Sequence, residues 1–373
     1  MLYDGEKHFP FCGKKEQRMD RRTRARIAAV GTAVLMGCLI GKYYVDSQER
    51  SCTKQLFAMD TVMSFTACGR GCEEAVDAAM EEVRRLDGLL STGEASSEVG
   101  SINKAGMGRV SEDTLAVLKR AQEIWEDTGG LFDYTVYPLV ELWGFSTGAY
   151  HVPSETELEE ALALVDASKV RCDGDVVTVG EGQRIDFGGI AKGYASARVM
   201  EVFREHGIRS GMVSLGGNVQ TLGRKPDGGR WQVGIRNPDS EQGDVLAVVE
   251  AEDLAVITSG GYERYFEENG TVYIHIIDPR TGCPADGDLS SVTVVSEDGT
   301  LADALSTSLY LMGYDAAVEY WKARRAEFDM VLITDQGEIC VTEGIRDGFR
   351  SERDYRILDG GDFPPPREES GLW

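Results

Sequence analysis

Between residues 57 and 342 the apolar residues recur with two different periods, and the segments that carry them do not alternate strictly. A period near 3.6 marks the buried face of a helix, and a period of 2 marks a half-buried strand. Helical spacing runs through Val76, Ala79, Val83, Leu86 and Leu90, then through Leu115, Leu118, Ala121 and Trp125. It returns at Ile190, Tyr194, Ala197, Met200 and Phe203, and again over 301–312, where Gly313 stops it. Strand patterns occupy 57–67, 212–215, 231–235, 245–250, 255–258, 292–295, 330–334 and 339–342. Asn269-Gly270 and Asp173-Gly174 are hairpin turn signals. Ser111 is placed to cap the second helix, and Ser154 with Glu157 forms a capping box for a further helix over 158–165. Residues 91–110 are rich in Ser and Gly and read as a loop. The mixture predicts an α+β domain over 57–345, not a doubly wound parallel sheet.

The N-terminal stretch has a different character. Residues 1–38 hold eight Lys/Arg against four acids, whereas the whole chain of 373 residues carries −24, which leaves −28 for the rest. A basic run over 14–26 precedes an apolar run over 27–37, the two parts of an export signal. Lys42 interrupts any longer apolar span, and Leu35-Met36-Gly37-Cys38 resembles a lipobox. Residues 1–45 therefore read as a signal or membrane anchor, lipidated at Cys38 or uncleaved, with 46–56 as a polar tether. Either form predicts a body on the extracytoplasmic face of the cell membrane. The strongly acidic body excludes a general nucleic-acid binder, since phosphate backbones need a basic surface. It also means that any bound nucleotide calls for a divalent cation. The Cys spacings include no zinc-knuckle pattern, and Cys68 and Cys72 are the one closely spaced pair. The Pro- and Gly-rich end of the chain, within 346–373, reads as a partly disordered tail.

Several short segments could carry chemistry. Residues 186–194 (DFGGIAKGY) read as a strand end, two glycines and a helix start. Gly188 and Gly189 permit close backbone approach, the helix N-terminus suits a phosphate, and Lys192 adds a cation. Taken alone, the segment also fits a plain strand–helix connection. Asp303 and Thr307, four apart at a helix start, put a carboxylate and a hydroxyl on one face, as a hard divalent ion requires. His275, beside Asp278-Pro279-Arg280, is a candidate proton acceptor. Leu131, Phe132 and Asp133 follow Gly129-Gly130, and Phe132 is placed either to cover a flat ring or to fill core. Ser259 lacks the Gly-x-Ser-x-Gly elbow of a hydrolase nucleophile.

In chain order these segments fall among nine motifs: 59–61 (MDT), 89–92 (LLST) with Ser97-Glu98 and Ile102-Asn103, 129–139, 186–194, 214–218 (SLGGN), 231–238 (WQVGIRNP), 259–264 (SGGYER), 275–282 (HIIDPRTG) and 302–307 (ADALST). Together they resemble the ApbE family of FAD:protein FMN transferases over about 57–344. The resemblance implies a single large T-fold-like domain of mixed sheets and helices in two lobes. It implies transfer of the FMN half of FAD to a threonine hydroxyl of a partner carrying an FMN-binding domain, with AMP leaving. Met59, Leu131, Phe132, Asp133, Asp186, Lys192 and His275 would then line the FAD site. Gly189, by its carbonyl, with Asp303 and Thr307 would hold Mg²⁺, and His275 and Asp303 would be catalytic. The same residues could release FMN and AMP to water, and a non-catalytic flavin-binding lipoprotein is a third reading. Where the family carries an aromatic residue after Leu-Ser-Thr, this chain has Gly93.

Overall fold

The computed structural model describes residues 50–240 and 242–361. The expected export signal, Cys38 and the residues from 362 onward lie outside the described residues. The strands are β1 (Ser51–Ala58), β2 (Thr61–Cys68), β3 (Met107–Arg109), β4 (Arg171–Asp173), β5 (Val176–Thr178), β6 (Ser210–Leu215), β7 (Asn218–Leu222), β8 (Trp231–Arg236) and β9 (Val245–Ala251). They continue as β10 (Ala255–Gly260), β11 (Tyr265–Glu268), β12 (Thr271–Ile274), β13 (Leu289–Ser296), β14 (Asp329–Thr334), β15 (Ile339–Thr342), β16 (Phe349–Ser351) and β17 (Tyr355–Leu358). The α-helices are α1 (Cys72–Leu90), α2 (Glu98–Ala105), α3 (Glu112–Asp127), α4 (Tyr137–Leu142), α5 (Glu155–Leu162), α6 (Ala191–Glu205), α7 (Gly299–Met312) and α8 (Tyr314–Arg324).

Nine strands form one sheet in the order β1-β2-β6-β7-β10-β13-β14-β15-β17. Neighbours are antiparallel except β15 and β17. Alternation along its central strands supplies two cores, because successive side chains point to opposite faces. Ala255, Ile257, Val292, Val294, Met330 and Leu332 join the core that includes α1, α6 and α7. Val256, Val295, Val331, Ile333 and Val341 face the other way and pack with Val233, Ile235 and Val249 of the small sheet β16-β9-β8. A third cluster, around Leu139, Trp143, Phe145 and Ile277, joins α4 to the β11–β12 hairpin through Phe266 and Tyr273. The mixed α+β architecture is as expected.

Several boundaries differ. The strand expected over 57–67 is a hairpin, because Met59 and Asp60 turn with φ of 46° and 58° although neither is Gly or Asn. Its first strand begins at Ser51, so the tether assigned to 46–56 is partly sheet and the domain starts before residue 57. The loop expected over 91–110 contains α2, capped by the Ser97 hydroxyl accepting from Gly100 N–H at 2.8 Å, and β3. Small residues concealed α2, whose buried side is only Val99, Gly100 and Ile102. The tail assigned to 346–373 is ordered through β16 and β17, so the domain extends beyond 345. β17 pairs in parallel with β15, a pairing with no local turn signal. By contrast, the Asn269-Gly270 hairpin, the Ser111 cap and the Ser154–Glu157 capping box all form.

Candidate active site

Asn103 prepares the glycine loop from a distance. Its side-chain amide donates to Ile185 O at 2.8 Å and its amide oxygen accepts from Ile185 N–H at 2.7 Å, as a neighbouring strand would. The chain then enters 186–190 with Asp186 oriented by Thr92, whose hydroxyl donates to Asp186 Oδ1 at 2.6 Å. Gly188 N–H donates to the same oxygen at 3.3 Å. Asp186 Oδ2 has no protein donor among the described residues. Phe132 lies on Gly189: a Cβ there would sit 3.2 Å from the phenyl ring. Phe132 is 6% exposed, so it is a buried wall under the loop and not an open platform for a flat ring.

At the start of α6 Lys192 Nζ donates to Gly188 O at 3.1 Å, and no carboxylate pairs with it among the described residues. The N–H groups of Gly189 and Lys192 have no protein acceptor among the described residues. Such unpaired donors with a nearby cation suit an anion. Gly193 lets α6 and α7 touch, since a Cβ would stand 2.2 Å from Gly299 O and 2.6 Å from Asp303 Cβ. Gly193 N–H instead donates to Asp303 Oδ2 at 2.8 Å. Asp303 is 4% exposed and has no cationic partner among the described residues. A buried carboxylate without a counter-charge is costly. One helical turn on, Thr307 is the residue of 301–310 that is not buried. Its Oγ1 lies 3.1 Å from Ser259 Oγ.

His275 follows β12. Its Nδ1 lies 3.2 Å from Arg264 O, and its own N–H donates to the same carbonyl at 3.0 Å. A carbonyl only accepts, so Nδ1 carries the proton and Nε2 keeps a lone pair. The ring retains some contact with solvent, yet protein surrounds it on most sides. Lost hydration, with Arg264 and Lys192 nearby, pushes its pKa down to about 4 against the pull of the Arg264 carbonyl. Met59 sits at the tip of the β1–β2 hairpin, and Arg264 Nη2 donates to Asp60 O at 3.4 Å, which ties that tip to the His275 side. Glu263, from the 259–264 motif, joins this corner. Its side chain keeps solvent contact, yet partial loss of hydration raises its pKa, with Lys192 opposing the rise and Asp303 adding to it.

A family model described as the ApbE family matches residues 59–332. This chain belongs to the ApbE family. A relative from Treponema pallidum (strain Nichols), an FAD:protein FMN transferase, is 33% identical over 348 residues, 86% of this chain and 95% of the relative. One of the same description from Vibrio cholerae is 34% identical over 268 residues, 70% and 79%. The crystal structure of the ApbE protein from Thermotoga maritima superposes with a TM-score of 0.76 at 33% identity, covering 81% of this chain and all of that one. Flavin transferase ApbE from Vibrio cholerae gives 0.70 at 27%, covering 81% and 96%.

Within this ApbE fold, the unpaired buried carboxylate oxygen of Asp303 and the half-buried Thr307 one turn on fit a hard divalent ion, and the Gly189 carbonyl accepts no hydrogen bond among the described residues. Asp133 is not part of this grouping. Its carboxylate accepts from Trp125 Nε1 at 3.1 Å, Thr135 N–H at 2.7 Å, Thr135 Oγ1 at 2.5 Å and Ala167 N–H at 3.3 Å, which commits it to holding the 131–135 loop. Leu131, half-buried, opens that loop. Thr92 and Asn103 carry no site signal of their own in the sequence, and Ser259 reads there only as a rejected nucleophile, because each acts on a segment more than 45 positions away.

Proposed function

We propose that this chain transfers the FMN half of FAD to a threonine hydroxyl on a partner carrying an FMN-binding domain, in a Mg²⁺-dependent reaction that releases AMP. The observation that carries the reading is Asp303: buried, without a protein cation among the described residues, one turn from the half-buried Thr307, and bonded to the Gly193 N–H of α6, whose first turn holds Lys192. Asp303, Thr307 and the Gly189 carbonyl would hold Mg²⁺, which when bound neutralises pyrophosphate charge and polarises its P–O bonds. Lys192 and the N–H groups of Gly189 and Lys192 meet the phosphate oxygens, where charge builds as the bond to the incoming oxygen forms. His275 Nε2 accepts the threonine proton. The threonine oxygen bonds to the FMN phosphorus as its bond to the AMP phosphate breaks, and AMP leaves with that electron pair. Asp186, steered by Thr92, presents its free oxygen to the flavin nucleotide, and Met59 and Leu131 supply apolar walls.

The basic–apolar N-terminus supports a position outside the cytoplasm, anchored through residues 1–45, with Cys38 as the lipidation candidate. The test is incubation of the purified protein with FAD, Mg²⁺ and a candidate FMN-binding domain. A mass gain of one FMN on the domain, lost when its threonine is replaced, is the expected result. Free FMN and AMP without labelling would instead make the protein an FAD pyrophosphatase.

A further inference from the structure

Ser259 stands at the end of β10, where neither the strand nor the turn behind it needs a hydroxyl. Its Oγ lies 2.8 Å from Ser306 Oγ and 3.1 Å from Thr307 Oγ1. Ser306 is fully buried, and its hydroxyl donates to Asp303 O at 2.8 Å. A serine or threonine hydroxyl has one hydrogen and two lone pairs. With its hydrogen spent on Asp303 O, Ser306 must accept from Ser259. Ser259, its own hydrogen now spent, must accept from Thr307. The relay therefore has one direction: Thr307 to Ser259 to Ser306 to the Asp303 carbonyl. It draws the Thr307 hydrogen toward β10 and leaves both lone pairs of Oγ1 without a protein partner among the described residues. A helical threonine or serine more often turns its hydrogen to the carbonyl four residues back, as Ser308 does to Ala304 O at 2.8 Å.

We propose that Ser259 is a positioning residue that presets Thr307 as a lone-pair donor for the divalent cation, an inference that rests on the metal reading given under Proposed function. Groups of this kind, which orient a metal's direct ligands, typically alter affinity by about 10–100-fold when removed. The probe is Mn²⁺ titrated into the full-length protein with FAD present and no acceptor, with bound metal followed by EPR. Ser259→Ala weakens Mn²⁺ binding about tenfold, Ser259→Thr keeps the hydroxyl and restores it, and Ser259→Ala adds no further loss in a Thr307→Ala background. If Ser259→Ala binds Mn²⁺ as tightly as the wild type while Thr307→Ala does not, the relay has no bearing on the metal and the inference fails with the metal reading intact. An equal loss from Ser259→Ala with and without Thr307 makes its effect structural and also overturns the inference. If the wild type itself binds no Mn²⁺, the metal reading has failed first.

Discussion

The two sides of the site are built by opposite means. On the α6–α7 side, backbone meets backbone: Gly193 has no space for a methyl group, and Asp303 is buried. On the hairpin side, His275 and Glu263 keep solvent contact, and His275 hangs from the Arg264 carbonyl. The difference separates two tasks. Charge placed against a pyrophosphate works best when it is preorganised, because nothing then has to reorganise as the bond breaks. A proton acceptor for an incoming protein side chain needs an approach route. The comparison predicts that changes on the packed side disturb fold and chemistry together, whereas changes on the open side near neutral pH disturb chemistry alone.

The largest effect is expected at Asp303. Asp303→Asn keeps an oxygen for Gly193 N–H but removes the charge, and the FMN-transfer rate should fall on the order of 10³-fold, about 4 kcal/mol of transition-state stabilisation. Measured single-turnover labelling at saturating Mg²⁺ checks this; an unchanged rate would move the metal elsewhere.

His275→Gln comes next, and it addresses the open side. Loss of the base costs about 10²-fold or more in transfer with little change in melting temperature. The lowered pKa fixes the pH behaviour as well. The folded form takes up the proton at about 4, whereas an unperturbed imidazole does so near ~6.5. Between these values the unfolded chain binds a proton that the native chain refuses, so stability declines as pH falls through that window. The acid limb of kcat/KM set by free-enzyme His275 lies correspondingly near the lower value. Urea melts at several pH values, wild type against His275→Gln, should show a flatter acid slope in the variant.

Gly193→Ala isolates packing from charge. The added carbon would overlap the Gly299 carbonyl, and α6 and α7 must separate to admit it. Overpacking of this kind costs about 1–3 kcal/mol. Because Asp303 hangs from the Gly193 N–H, Mn²⁺ affinity should drop with stability. A stable variant with undiminished metal binding would show that the close approach is not what organises this side.

How legible each side was follows from the range of its interactions. The 301–312 helix, its Asp303–Thr307 spacing and the Asn269-Gly270 hairpin were readable because period, cap and turn are local. The β1–β2 turn was not, since Met59 and Asp60 take left-handed backbone without the Gly or Asn that signals it most strongly. Nor could local pattern separate Phe132 the core residue from Phe132 the ring platform, or foresee that four donors occupy Asp133. Those outcomes depend on partners brought in by tertiary packing, as does the hold of Thr92 on Asp186 across 94 positions. The order of the motifs carried what their individual spacings did not.

The smallest effect tests the margin between the two sides. Gly93 follows Thr92, the residue that steers Asp186. It is exposed, with nothing within 4 Å of the place a Cβ would occupy and no left-handed backbone to forbid a side chain. An aromatic ring therefore fits here without displacing anything. Stacked on a flavin, such a ring contributes about 0.5–1.5 kcal/mol, so Gly93→Tyr should tighten FAD binding by roughly two- to tenfold, measured by flavin fluorescence quenching. Melting temperature without FAD should hardly move, because the ring has no protein surface to bury. The product ratio is the more telling readout: a ring over the flavin excludes water from that flank, and free FMN should decline relative to labelled acceptor. Tighter FAD binding with an unchanged ratio would place the entry of water on the His275 side instead.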